Sequence, residues 1–162
     1  MDNMLALKAN LRKVGLSILL LSAVTSFLAG FLLGEDSIGG ARFDFYHFHW
    51  PGVERFSAMS WGAAIADPGG MANNPLLYMI TSLLPLHGDQ KLYHLITFLV
   101  ALLIWPLLSC AYYRRYCHYG IDWLWASFGA SAILLSPGFR SSAFWGTTDY
   151  LPFVFCAGTS LL

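Results

Sequence analysis

Long apolar runs separated by short charged segments dominate the pattern of this 162-residue chain. The first run, residues 14–33, has twenty residues without a charge. At about 1.5 Å per residue, it is long enough to cross a hydrocarbon layer of about 30 Å. A second run, residues 92–113, is of similar length, and Pro106 within it predicts a kink because proline removes a backbone donor. The pattern therefore predicts two membrane-spanning helices.

Three shorter apolar runs complete the predicted topology. Residues 121–136 are expected to form a third span, and a fourth is expected to begin at residue 150 after a short outer loop, residues 138–149. Residues 75–86 would cover only about 18 Å as a helix, too little to cross, so we expect them to lie in the membrane interface. Residues 34–91 then form one long loop on one side of the membrane.

The distribution of charge gives an orientation. Basic residues flank both long runs at one end, namely Lys8, Arg12, Lys13, Arg114 and Arg115. Because positive charge is retained on the cytoplasmic side, the N-terminus is predicted inside and the loop 34–91 outside. That loop carries six acids, Glu35, Asp36, Asp44, Glu54, Asp67 and Asp89, against three bases. The first run exceeds the apolar region of a signal peptide, about 7–15 residues, so an uncleaved anchor is favoured over a cleaved signal.

Composition agrees with a bilayer protein. Hydrophobic residues make up 57% of the chain and charged residues only 11%, whereas soluble domains carry about 25% charged residues. The formal net charge is zero, so no basic field indicates a nucleic-acid partner. The predicted class is all-α, a single multi-span membrane domain with interfacial helices in its first outer loop. Since the fourth run is thirteen residues long at Leu162, we expect residues 1–162 to be the N-terminal part of a longer protein.

The outer segment 41–56, ARFDFYHFHWPGVERF, combines rings, histidines and the acid Asp44. Asp44 has two compatible interpretations, an N-cap of the following helix or a general base held at the boundary between water and lipid. Asp149, at the start of the fourth run, is likewise a cap or a carboxylate that lines a polar cavity. If the first and fourth spans pack together, the two acids share one pocket. Phe56 is expected to face lipid.

Basic and imidazole side chains on the same side suggest further contacts. Arg55 and Arg140 are expected to bind a phosphate through a bidentate fork, either that of a substrate or that of an ordinary lipid. His47 and His49 would face one way in a strand and hold a metal ion. In a helix they diverge by about 200°. The helix is favoured, so no metal site is predicted; the sequence requires no cofactor, although a divalent metal ion is compatible with it.

Several short motifs resemble one family. Residues 44–47 (DFYH), 50–51 (WP) and 54–56 (ERF) resemble the first outer loop of the GT-C superfamily of glycosyltransferases, which use lipid-phosphate sugars. Residues 74–78 (NPLLY) resemble the segment that opens its juxtamembrane helix, and residues 146–150 (GTTDY) resemble its second outer loop. The likeness covers most of this chain and about a third of a typical member.

The resemblance implies a transferase that takes a sugar from a polyprenyl-phosphate donor on the outer face. Asp44 would deprotonate a glycan, lipid or protein acceptor, and Asp149 would lie near it. Tyr46, His47, Arg55 and Arg140 would contact the donor. The bilayer is a further partner.

Two other classes fit the same pattern. A non-catalytic membrane protein, such as a transporter subunit or assembly factor, would use the outer helices only to rest on the bilayer. A metal-dependent membrane hydrolase would use His47 and His49 and would lose activity with a chelator.

Overall fold

The structure, a computed structural model, describes residues 2–67, 75–84, 88–147 and 151–160. These residues form helices and connecting turns, with no strand among them, so the predicted all-α class is confirmed. The helices are α1 (Asp2–Leu32), α2 (Ala41–Asp44), a π-helix (Phe45–His49), α3 (Trp50–Ala58), α4 (Trp61–Ala66), α5 (Pro75–Ser82), α6 (Gln90–Leu102), α7 (Ile104–Tyr116), a 3-10 turn (Cys117–Tyr119), α8 (Trp123–Ala130), α9 (Ala132–Leu135), α10 (Pro137–Trp145) and α11 (Leu151–Thr159).

Two helical units are long and apolar enough to cross a membrane, Ala6–Leu32 and Gln90–Tyr119. The second is interrupted at Leu103, one turn before Pro106. Proline lacks the N–H that would bond to the carbonyl four residues earlier, which explains the interruption at this point. Large apolar side chains of α1 remain exposed along much of its length, including Leu11, Ile18 and Leu21.

The third helical unit consists of the consecutive helices α8, α9 and α10, and its last helix was not predicted. Residues 138–149 were expected to be an outer loop, but most of them belong to helix α10, whose residues 139–144 are buried. Pro137 occupies the first turn of α10, where a missing N–H costs nothing. Helices α8, α9 and α10 follow one another beside α1, from Trp125 near Arg12 to Arg140 near Ser26. The predicted third span, residues 121–136, corresponds to α8 and α9, Trp123–Leu135, and the extended residue Ser136 separates it from α10.

The three units form a bundle with two distinct ends. We call the end near Lys8, Arg12 and Lys13 the basic end. The opposite end, where α1 ends and α6 begins, we call the loop end, because α2–α5 are inserted there. Phenylalanine rings fill the bundle core between the ends, with Phe27 stacked on Phe98 at 5.5 Å.

Residues 41–67 and 75–82 form a loop unit with a second buried core, to which Tyr93 of α6 also contributes. Phe45, Trp50 and Phe56 are buried in it together with Tyr78. The expectation that Phe56 faces lipid is wrong, because its ring packs on Tyr78 with centroids 5.7 Å apart. Gly52 permits this packing, since a Cβ there would lie 2.8 Å from the Tyr78 ring. Helix α5 spans Pro75–Ser82 and starts at the predicted residue.

Candidate functional site

The acids at the loop end differ in what they do. Five of the six are used by the fold: Glu35 pairs with Arg140, Asp36 caps α2, Glu54 accepts from Trp50, Asp67 pairs with Arg55, and Asp89 caps α6. The carboxylate of Asp44 is exposed and forms no hydrogen bond or ion pair with any of the described residues. Asp44 is thus the acid in this group that the described part of the fold leaves available.

The capping interpretation of Asp44 is wrong. Oδ2 of Asp36 accepts from the backbone N–H groups of Gly40 and Arg42 at 3.0 and 3.2 Å, so Asp36 satisfies the start of this helix. Asp44 lies at the last position of α2, where the chain continues directly into the π-helix. A cap must precede the first turn to reach free N–H groups, and Asp44 follows it.

Asp44 shares an exposed helical surface with Phe43 and His47, which we call the Asp44 face. The rings of Phe43 and His47 stack with centroids 3.8 Å apart. Nδ1–H of His47 donates to the Phe43 carbonyl at 2.9 Å, because a carbonyl can only accept. The Nε2 atom of His47 is therefore the ring nitrogen left for a ligand, one helical turn from the Asp44 carboxylate.

The opposite side of the same helix packs on Trp145. Phe45 is fully buried, the Arg42 guanidinium lies 5.4 Å from the Trp145 ring centroid, and Tyr46 is 6.1 Å from that ring. Trp145 in turn donates its Nε1–H to the backbone carbonyl of Glu35 at 3.1 Å. Tyr46 therefore contacts the bundle, while Asp44 and His47 face outward.

The histidine pair does not converge on one ion. His47 is exposed, whereas His49 is buried and its Nδ1 lies 3.2 Å from the hydroxyl of Tyr78. Burial raises the pKa of the Tyr78 phenol, which stays protonated. Across the described parts of the chain, no group of three or more His, Cys, Asp or Glu side chains could hold a metal ion.

Arg140 is buried and fully satisfied inside the chain. Its Nε donates to Glu35 at 2.9 Å. One terminal nitrogen donates to the Ser26 hydroxyl and to the Leu134 carbonyl, both at 3.2 Å. The other terminal nitrogen donates to the Ser26 carbonyl at 3.1 Å and to Glu35. A guanidinium has five N–H donors, and these five bonds use them all. The bidentate fork expected for a phosphate is thus applied to a carboxylate.

Gly30 makes room for this ion pair. A Cβ at position 30 would meet Glu35 Oε2 and the Arg140 guanidinium, and would lie 2.8 Å from the Phe144 ring. The hydrogen bonds from Arg140 hold the pKa of Glu35 below its ordinary value, despite its partial desolvation. The pair joins the end of α1 to α10 and so fixes Trp145, on which the Asp44 helix rests.

Arg55 and Asp149 are the two remaining residues of the predicted site. Nε of Arg55 lies 3.4 Å from Asp67 in a partly exposed ion pair of the loop unit. Asp149 lies outside the described residues, so the pocket shared by Asp44 and Asp149 stays a prediction. The structure therefore brings Asp44, Tyr46 and His47 onto one helix, and Arg55 and Arg140 into internal ion pairs.

A cavity of about 230 Å³ opens at the loop end on the Trp145 side, lined by Phe31, Gly34, Lys91, His94, Phe144 and Trp145. The ammonium of Lys91 forms no ion pair with the described residues. The buried Nδ1 of His94 has no hydrogen-bond partner among them. The cavity thus offers a cation among aromatic walls.

Comparison of the chain with models of protein families, with curated proteins and with solved structures finds no match. Sequence reasoning missed the roles of Glu35 and Trp145, which join segments at the loop end, and of Lys91, which lines the cavity there. Their only signal in the sequence is position, since each stands at or just beyond the end of an apolar helix.

Proposed function

We propose that this chain is part of a membrane glycosyltransferase that takes a sugar from a polyprenyl-phosphate donor, with Asp44 as its general base. The N-terminus lies in the cytoplasm and the loop end faces the other side of the membrane. One observation supports the proposal above the others. Among the six acids of the loop end, Asp44 forms no structural bond with the described residues, whereas the other five all do.

The proposed step follows from ordinary acid–base chemistry. Asp44 accepts the proton of an acceptor hydroxyl or amine, and the freed electron pair attacks the anomeric carbon. The bond from that carbon to the phosphate oxygen breaks, and the lipid phosphate leaves with the electron pair. Attack from the opposite side inverts the configuration. A positioned general base contributes about 10²–10⁴-fold to such a rate.

The position of Asp44 supports this use. A donor with a water-soluble sugar and an apolar tail must bind where both environments meet. The Asp44 helix packs on the end of a bundle whose α1 exposes large apolar side chains, among them Leu21, Leu28 and Leu32. The bundle also contains two units of membrane-spanning length. We place the donor tail along that apolar surface and its sugar at the Asp44 face.

The other contacts with the donor are assigned to side chains that the described part of the fold leaves available. His47, through Nε2, and the exposed hydroxyl of Tyr46 suit hydrogen bonds to sugar hydroxyls. The leaving phosphate needs a cation. Arg42 and Lys91 both lie beside Trp145, and neither forms an ion pair with the described residues. We assign them this part in place of Arg140. Arg55 remains a candidate only if a ligand displaces Asp67.

The test is Asp44→Asn in the full-length protein. Sugar transfer from polyprenyl-phosphate donors, measured in membrane vesicles, should fall by about 10²–10⁴-fold. The amount of inserted protein should not change, because an exposed side chain without structural bonds is replaced. Glu54→Gln is the matched control, since the glutamine oxygen still accepts from Trp50 and activity should persist.

Two outcomes would count against the enzyme. Equal transfer by wild type and Asp44→Asn would remove Asp44 from the chemistry. Absence of transfer with every polyprenyl-phosphate sugar tried would instead favour a non-catalytic membrane protein.

A further inference from the structure

A groove at the basic end combines one cationic side chain with apolar walls. Its volume is about 350 Å³, and it runs between α1 and α8, lined by Arg12, Gly15, Leu16, Leu19 and Trp125. Among the described residues that line it, Arg12 is the one with a charge, and the others are apolar apart from the indole N–H. Such a groove suits a molecule with one anionic group and an apolar chain.

Arg12 is exposed, and the described part of the chain leaves its guanidinium without a partner. Within the described ranges it forms neither a hydrogen bond nor an ion pair. The nearby acid Asp122 is occupied, because its carboxylate caps α8 by accepting from the Trp125 N–H at 3.0 Å. Arg12 therefore retains its N–H donors for a ligand, and a guanidinium fork fits a phosphate geometrically.

The floor of the groove is open where a chain would lie. A Cβ added at Gly15 would meet nothing within 4 Å. Gly15 is three residues from Arg12, so it is the next residue along the same face of α1. Leu19 continues that face and is more than half exposed. The apolar part of the groove thus extends from Arg12 towards the middle of the bundle.

We propose that this groove binds a single anionic phospholipid of the bilayer, with its phosphate on Arg12 and an acyl chain over Gly15 against Trp125. The basic residues of this end, Lys8, Arg12 and Lys13, favour an anionic surface. Trp125 is placed as an interfacial ring packed against a chain. The site lies at the opposite end of the bundle from Asp44 and does not depend on the proposed catalytic function.

The experiment compares lipids retained by the protein. The full-length protein is reconstituted in bilayers of equal parts phosphatidylglycerol and phosphatidylcholine, extracted mildly, and examined by native mass spectrometry. Wild type should retain phosphatidylglycerol in preference to phosphatidylcholine. Arg12→Gln should lower that preference about tenfold, because a charge-assisted fork is lost.

Lys13→Gln is the matched control, with the same loss of charge on the adjacent residue, which does not line the groove. It should lower the preference by no more than about fivefold, the effect of one basic residue near an anionic surface. Gly15→Leu keeps every charge but fills the groove. It should abolish the preferred retention while the helix is, if anything, stabilised.

Equal effects of Arg12→Gln and Lys13→Gln would overturn the proposal in favour of diffuse attraction between charges. Undiminished retention of phosphatidylglycerol by Gly15→Leu would also overturn it, because the acyl chain could not then occupy the groove.

Discussion

The two ends of the helical bundle treat arginine in opposite ways. At the loop end, Arg140 is 7% exposed and its five N–H groups all donate within the chain. At the basic end, Arg12 is exposed and donates to none of the described residues. The difference shows that a charge near a helix end is not by itself a binding site. Its availability depends on whether the fold must bury it.

Burial explains the contrast. The Arg140 guanidinium, which projects from α10 against α1, loses its water and must recover those hydrogen bonds from the protein. Glu35 and two groups of Ser26 supply most of them. Arg12 keeps its water and can exchange it for a ligand. By the same criterion Asp44 is available and Glu35 is not.

The largest expected loss of stability comes from breaking the Glu35–Arg140 ion pair. Arg140→Leu should lower the free energy of unfolding by about 3 kcal/mol, because it leaves Glu35 partly buried without its cation. Arg55→Leu breaks the more exposed pair with Asp67 and should cost no more than about 1 kcal/mol. Denaturant titration of the purified protein in micelles measures both. Similar losses would mean that burial does not distinguish the two pairs.

A smaller loss of stability is expected when a side chain fills the space that the Glu35–Arg140 pair occupies. Gly30→Ala introduces a Cβ against the Glu35–Arg140 pair and Phe144 and should cost about 1–3 kcal/mol. Gly15→Ala, at the basic end of the same helix, meets nothing and should leave stability equal or raise it by up to about 1 kcal/mol. Thermal unfolding of the two variants in parallel checks the contrast. A stable Gly30→Ala protein would show that the pair adjusts easily.

The loop unit contains a buried hydrogen bond, between Tyr78 and His49, that can be compared with the ion pair. Tyr78→Phe removes the hydrogen bond to His49 within the buried core and should cost about 1 kcal/mol. Tyr119→Phe changes a ring that is 75% exposed and should be neutral. Unfolding monitored by fluorescence gives both values, and a neutral Tyr78→Phe would mean that the bond contributes nothing.

The smallest expected effect is on how stability depends on pH. Because the pKa of Glu35 is lowered in the folded state by Arg140, the stabilisation from this group is fully present above its ordinary pKa of 4.5. That stabilisation is lost as the pH falls through the lowered folded value. Melting temperatures recorded from about pH 7 to about pH 3 should decline less steeply for Glu35→Gln than for wild type. Identical slopes would exclude Glu35 as a source of acid sensitivity.

Local signals in the sequence predicted several features correctly. Pro75 begins α5, and Pro106 accounts for the break at Leu103, because both effects follow from the missing N–H of proline. The divergence of His47 and His49 follows from helical geometry alone. The errors concern residues whose role depends on distant partners. Phe56 packs on Tyr78, and Asp36 takes the capping role expected of Asp44.

Helix α10, Pro137–Trp145, shows what reasoning from nearby residues did not foresee in the segment predicted as an outer loop. Arg140 and its neighbouring serines look like loop chemistry when only nearby residues are considered. In the fold, Ser141 accepts from the N–H of Ile38 at 3.2 Å, and Arg140 binds Ser26 and Glu35. These partners are more than a hundred residues away along the chain, so no local pattern could predict that a polar segment would form a buried helix.

The sequence by itself determined the helical class, the two units of membrane-spanning length and the concentration of acids and bases at opposite ends. Each depends on composition and spacing within one segment, because backbone hydrogen bonds and apolar length act locally. Only the tertiary structure decided which charges are neutralised inside the protein and which remain for a ligand. That outcome depends on burial and on partners from distant segments, and it separates Asp44 and Arg12 from Glu35 and Arg140.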